Sequence, residues 1–213
     1  TTNLVSTQRN YTFALEHLEI EKVLVQSNGG KWVVIEPMDQ QDWDEAYYLY
    51  GTEFLNRSLN DNGLTGLLYA STKVSPRKPP LITYLPVPLS SIFGNTYKAA
   101  LLANLFYLIL FAIFFYLLIK KLFNQKTALH GIIIFTTFPL FNGLLRHLYV
   151  EFGLMPITVI WIYLLIKTDA FKKNTYLFWL GLVSGLGLLM KLHFPIFIFV
   201  PFVYTVFLYH KTK

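Results

Sequence analysis

Residues 99–119, AALLANLFYLILFAIFFYLLI, form a run of 21 residues without a charge. An α-helix rises about 1.5 Å per residue, so a run of this length covers the roughly 30 Å of hydrocarbon in a bilayer. The stretch predicts a transmembrane helix and sets the terms for the rest of the chain. Four further apolar runs follow at about 129–145, 152–166, 175–190 and 194–209, each flanked by Lys, Arg, His or Glu. Each is short for a span, but their number and regular spacing predict a bundle. The expected fold is an all-α polytopic membrane protein with about five transmembrane helices in residues 98–213.

Composition agrees. The 213 residues are 54% hydrophobic and 17% aromatic with only 14% charged, too few ionic groups to cover a soluble domain. The net charge of +6 hides two unlike parts: residues 1–97 carry 7 Lys/Arg against 10 Asp/Glu, and residues 98–213 carry 11 against 2. The basic residues sit at the ends of apolar runs, where they act as topology determinants, so nucleic-acid binding is rejected. Cysteine is absent, which excludes disulfides, thiolate nucleophiles and zinc-thiolate sites.

Cytoplasmic loops of membrane proteins are enriched in Lys and Arg. One set of helix ends here holds Lys120, Lys121, Lys126, Lys167, Lys172, Lys173, Lys211 and Lys213; the opposite set holds only Lys98, Arg146 and Lys191. The bias places residues 1–97 outside the cytoplasm, in a multi-pass protein expected in the plasma (inner) membrane. Within 1–97, Lys31 to Glu36 reads as a short strand after the Asn28-Gly29-Gly30 turn. Residues 42–59 read as an amphipathic helix, with Tyr47, Tyr50 and Phe54 on an aromatic face suited to the membrane interface and Asp42 with Glu45 as a capping box. Asn60 to Gly63 marks a turn, and Ser75-Pro76-Arg77-Lys78-Pro79-Pro80 an extended path.

Four groups of residues bear on function. Asp42, Asp44 and Glu45 gather at a helix start, where acids suit the macrodipole and capping; equally, a carboxylate there could take a proton from an acceptor hydroxyl or hold a divalent metal ion. Arg77 and Lys78 sit on a proline-stiffened segment, as a headgroup anchor or as partners for a lipid phosphate. Arg146, His147, Tyr149 and Glu151 crowd one outer helix connection, as a hairpin-securing pair or as a site at membrane depth. Gly181 and Gly185 are spaced for close helix packing, and Lys191 at the outer end of that run either snorkels or points a cation towards a bound phosphate. His130, His193 and His210 lack partners at metal-ligand spacing and are assigned no role, and the sequence names no cofactor. Asn10-Tyr11-Thr12 and Asn56-Arg57-Ser58 fit the short glycosylation pattern.

Taken in order, Asp44-Glu45 with Tyr48, Lys78 to Leu81, SSIFG at 90–94, Arg146 with Glu151, Leu154 and Pro156, and Gly187-Leu188 with Lys191 ahead of PIFIFVP at 195–201 resemble the C-superfamily glycosyltransferases. The likeness is to the protein mannosyltransferases and aminoarabinose transferases, and it covers roughly residues 42–205. It implies a membrane enzyme that moves a sugar, with inversion, from a polyprenyl-phosphate donor to a hydroxyl of a protein, lipid or glycan acceptor on the extracytoplasmic side. By the same resemblance Asp44 is the catalytic candidate, Glu45 the second and Glu151 a further acid of the site, while Arg77, Lys78, Arg146 and Lys191 are donor-phosphate candidates. Family members begin with a span before the acidic loop and continue past the residues seen here, so the chain reads as an amino-terminal fragment, inactive alone. Two alternatives stay open. A transporter or flippase-like bundle binding an anionic lipid or sugar would carry charges inside the bundle and inverted repeats. A purely structural subunit would leave Asp44 and Glu151 apart.

Overall fold

A computed structural model describes residues 23–26, 32–35, 40–74, 79–94 and 96–211. The chain divides into two compact units, Thr1–Trp43 and Asp44–Lys213. The first contains an antiparallel hairpin of β1 (Val23–Gln26) and β2 (Trp32–Ile35), with Val23 opposite Ile35 and Gln26 opposite Trp32. β2 is the strand expected from the sequence; the Asn28-Gly29-Gly30 turn lies outside the described residues.

Helix α1 (Gln40–Val74) is one element broken at Gly63, whose backbone (φ 61°, ψ −150°) lies where only glycine is comfortable. The Asn60–Gly63 signal therefore marks a break inside a longer helix. The break folds the second half back so closely that a Cβ on Gly66 would collide with the Ser58 carbonyl. The helix starts at Gln40, so Asp42 lies inside its first turn, and the Glu45 carboxylate turns to Leu148 and His147. The face that packs on protein carries Tyr48, Thr52, Leu55 and Asn56, all buried, while Tyr50 is 57% exposed. The Thr52 hydroxyl donates to the Thr83 carbonyl at 3.0 Å, and Ser91 Oγ donates to Asn56 Oδ1 at 2.6 Å. These bonds hold α1 against α2 (Leu81–Tyr84) and α3 (Pro86–Phe93). Buried and bonded in this way, Asn56 is unsuited to glycosylation. The left-handed Gly94 caps α3 with its N–H on the Ser90 carbonyl.

The apolar runs become α4 (Thr96–Leu122), α5 (Gln125–Thr137) with α6 (Pro139–Leu145), α7 (Val150–Lys167), α8 (Asn174–Met190) and α9 (Phe194–Lys211). Among the described residues α4, α7 and α9 are long and apolar enough to cross a bilayer; α5 and α6, bent by 67°, have the geometry of a broken span or a re-entrant loop, and α8 is apolar but only 17 residues long. The run 129–145 is thus not one straight span. Pro139 supplies no N–H and drives Phe138 into extended geometry, so the helix must stop and restart. The Asn142 amide donates to the Thr136 carbonyl (2.8 Å), which the break leaves without its helical partner, and to the Phe138 carbonyl (3.2 Å), which also accepts the Asn142 backbone N–H.

Helix α4 packs on α3, α5 and α7, and α7 packs on α8 and α9. Phe111 of α4 meets Phe135 and Phe141 at ring-centroid distances of 4.8 and 5.5 Å, and Phe141 meets Phe152 of α7 at 5.3 Å, so aromatic contacts pin the bent pair to both neighbours. Fully buried Asn104 donates from Nδ2 to the carbonyls of Leu145 (3.0 Å) and His147 (2.7 Å), fixing the end of α6 beside the start of α4. Its Oδ1 has no partner among the described residues. Trp161 Nε1 donates to Ser184 Oγ at 2.8 Å between α7 and α8.

The packing face of α8 is Leu180, Val183, Gly187 and Met190. Gly181 and Gly185 lie off this face, and among the described residues a Cβ on either would meet nothing within 4 Å, so this pair does not pack α8 on α7. The close approach is at Gly187, where a Cβ would run into the ring of Phe194, itself 1% exposed. Gly187→Val should therefore lower the thermal midpoint in detergent, by overpacking worth about 1–3 kcal/mol, while Gly185→Val leaves it unchanged. Equal effects of the two variants on size-exclusion melting curves would contradict this packing.

Candidate active site

The second unit brings three chain segments together at one end of the bundle: the start of α1, the connection between α6 and α7, and the turn after α8. Asn104 sets the α6–α7 connection level with the early part of α4, through the carbonyls of Leu145 and His147. The opposite ends of the helices carry Lys120, Lys121, Lys126, Lys167, Lys172, Lys173 and Lys211.

Glu45 joins α1 to the α6–α7 connection. Its Oε1 accepts the backbone N–H of Leu148 at 2.9 Å, and its Oε2 lies 2.8 Å from His147 Nδ1. A carboxylate accepts only, so the ring hydrogen is on Nδ1. The Glu45 side chain is only 13% exposed, and both its oxygens are used. His147 also stacks on Tyr149, with centroids 5.4 Å apart. Glu45 is placed for holding the site together.

Asp44, its chain neighbour, is exposed, and it presents a carboxylate beside Tyr48 one helical turn on. Tyr48 is 6% exposed, and burial, then the charges of Asp44, Glu151 and Tyr47, holds its phenol far above the ordinary range. The phenol stays protonated, a neutral O–H group set between two acids from α1 and α7. Glu151, in the first turn of α7, accepts from the ammonium of Lys191 at 2.6 Å; Lys191 is the residue that ends α8.

Of the residues singled out in the sequence, Asp44, Glu45, Glu151 and Lys191 therefore converge, joined by Tyr48 and His147. Arg146 is exposed and turns to a different surface, an open cleft of about 390 Å³ lined with Tyr97, Leu101, Leu105 and Leu145. Arg77 and Lys78 lie outside the described residues. Among the described residues no three His, Asp or Glu side chains gather as metal ligands would. The partnership of His147 with Glu45 had no sequence signal, because 102 positions separate them. Tyr48 did have one, its place one turn after Asp44.

A helical bundle spanning a bilayer, with acids and a lysine collected at one end, defines an integral membrane protein with a polar site at its surface. The chain belongs to the dolichyl-phosphate-mannose-protein mannosyltransferase family, which matches residues 77–213, and it is a membrane glycosyltransferase of the mannosyltransferase-like kind. The matched region contains Arg77, Lys78, Arg146, Glu151 and Lys191; Asp44 and Glu45 precede it. No curated protein and no solved structure matches the chain.

Glu45→Gln and His147→Ala should each destabilise the protein, and their effects should be less than additive. A coupling on the order of 1 kcal/mol is expected for a charged hydrogen bond with one half-exposed partner. A double-mutant cycle on melting in detergent measures it, and strict additivity would separate the two residues.

Proposed function

We propose that this chain transfers a sugar from a polyprenyl-phosphate donor to a hydroxyl acceptor, a protein, lipid or glycan, at the extracytoplasmic face of the plasma (inner) membrane. The observation that carries this reading is the convergence of Asp44, Tyr48, Glu151 and Lys191 at the lysine-poor end of the bundle. The family match adds a lipid-linked sugar as the donor class. The lysine distribution supports an extracytoplasmic setting for that end.

The chemistry asks little of side chains beyond placement. A sugar on a lipid phosphate already carries a good leaving group, so the enzyme must orient the acceptor, take its proton and stabilise the departing phosphate. Asp44, exposed and beside the buried phenol of Tyr48, is the base. Glu45, with both oxygens occupied, positions Asp44 by tying α1 to the α6–α7 connection. Lys191, 2.6 Å from Glu151, offers a cation for the donor phosphate, and the family resemblance adds Arg77 and Lys78; Arg146, which faces the separate cleft, is not part of this group. Attack by the acceptor opposite the leaving phosphate inverts the anomeric centre. A transporter reading expects ionisable groups along the bundle interior; here they collect at helix ends.

Asp44→Asn in the intact protein should reduce transfer of radiolabelled sugar from a polyprenyl-phosphate donor by about 10²–10⁴-fold, the usual worth of a general base, with expression and donor binding unchanged. Full activity in that variant would return Asp44 to a structural role.

A further inference from the structure

Lys191 and Glu151 are both fixed at their backbones and free at their heads. Lys191 has its N–H on the Gly187 carbonyl at 2.9 Å, and its own carbonyl accepts from Phe194 N–H at 2.9 Å. The flanking Met190 and Phe194 are buried, so the Lys191 Cα cannot drift. Glu151 sits between Val150 and Phe152, also both buried. The side chains themselves are 33% exposed for Lys191 and 54% for Glu151. A pair this accessible is worth little, about 0–1 kcal/mol. Another anion can therefore take the ammonium, and Glu151 remains tethered beside it at high effective concentration.

We propose that Glu151 is a built-in competitor for Lys191, yielding the ammonium to the donor phosphate and reclaiming it to expel the product lipid phosphate. This deepens the function proposed above and rests on it. In the transfer step the acceptor oxygen bonds to the anomeric carbon, and the bond from that carbon to the phosphate oxygen breaks. The electron pair stays on the phosphate, and the acceptor proton goes to Asp44. The donor is a phosphodiester with one negative charge; the product is a phosphomonoester, which carries about −1.5 to −2 near pH 7. A lone lysine would thus hold product more tightly than donor and stall the cycle. A carboxylate on the neighbouring helix lowers that grip by competing for the ammonium. Glu151 acts through Lys191 and is a positioning residue, not a group that touches the reacting atoms.

The test is inhibition of sugar transfer by added polyprenyl monophosphate, using the intact protein in membranes. Glu151→Gln should tighten inhibition by the monophosphate about two- to fivefold, the span that a half-exposed ion pair allows. It should also lower kcat without raising donor KM, and Glu151→Asp should restore the wild-type inhibition constant. Lys191→Gln gives an independent arm: it should weaken inhibition by the monophosphate more than it raises donor KM. An unchanged or weaker monophosphate inhibition in Glu151→Gln with transfer intact would overturn the competitor role alone. Absence of transfer by the wild-type protein from every polyprenyl-phosphate sugar would overturn the reaction itself and this role with it.

Discussion

The hydrocarbon of the bilayer offers backbone groups no water, and the rest of the structure follows from that constraint. Every long apolar run becomes a helix, because a helix satisfies its own N–H and C=O groups. Where the helix must break, a side chain takes over: at Phe138–Pro139 the amide of Asn142 bonds the Thr136 carbonyl at the end of the interrupted helix. The same constraint sends charged residues to the helix ends. A site that needs acids and a cation can then be assembled most cheaply at one end, where water reaches it.

Assembly at that end depends on a few polar ties between segments far apart in the chain. Asn104 sets the α6–α7 connection against α4, and Glu45 sets α1 against the same connection. Neither tie needs burial of large apolar area, which in lipid gives helices no strong reason to associate. Tight contacts such as Gly187 on Phe194 supply the fit that apolar burial cannot. The division of labour between the two adjacent acids follows from these ties. Glu45 ties α1 to the α6–α7 connection, and Asp44 stands exposed beside Tyr48.

The spans were legible because an uncharged run is a direct physical requirement for crossing a membrane, and the break at Gly63 was legible as a turn signal. The faces of the helices were not. On α8 both faces are apolar, since one meets protein and the other lipid, so periodicity does not mark the interior, and the Gly181–Gly185 spacing pointed to the wrong side. The bend at Pro139 was missed because hydropathy averages over a single residue. Glu45 was a different case: local preference offered it a nearby backbone partner, and tertiary structure gave it Leu148 and His147. Of the candidate site, Asp44, Glu45, Glu151 and Lys191 were visible as residue types at one side of the membrane, while their pairing required the folded chain.

The central claim is that one end of the bundle, built from the start of α1, the α6–α7 connection and the turn after α8, receives the lipid-linked donor. A photo-crosslinking polyprenyl-phosphate probe with its reactive group near the phosphate, followed by peptide mapping, tests it most directly. Adducts on residues 44–48, 146–151 and 191–193 are the predicted result. Adducts confined to the lysine-rich end, at 120–126 and 167–173, would contradict the account.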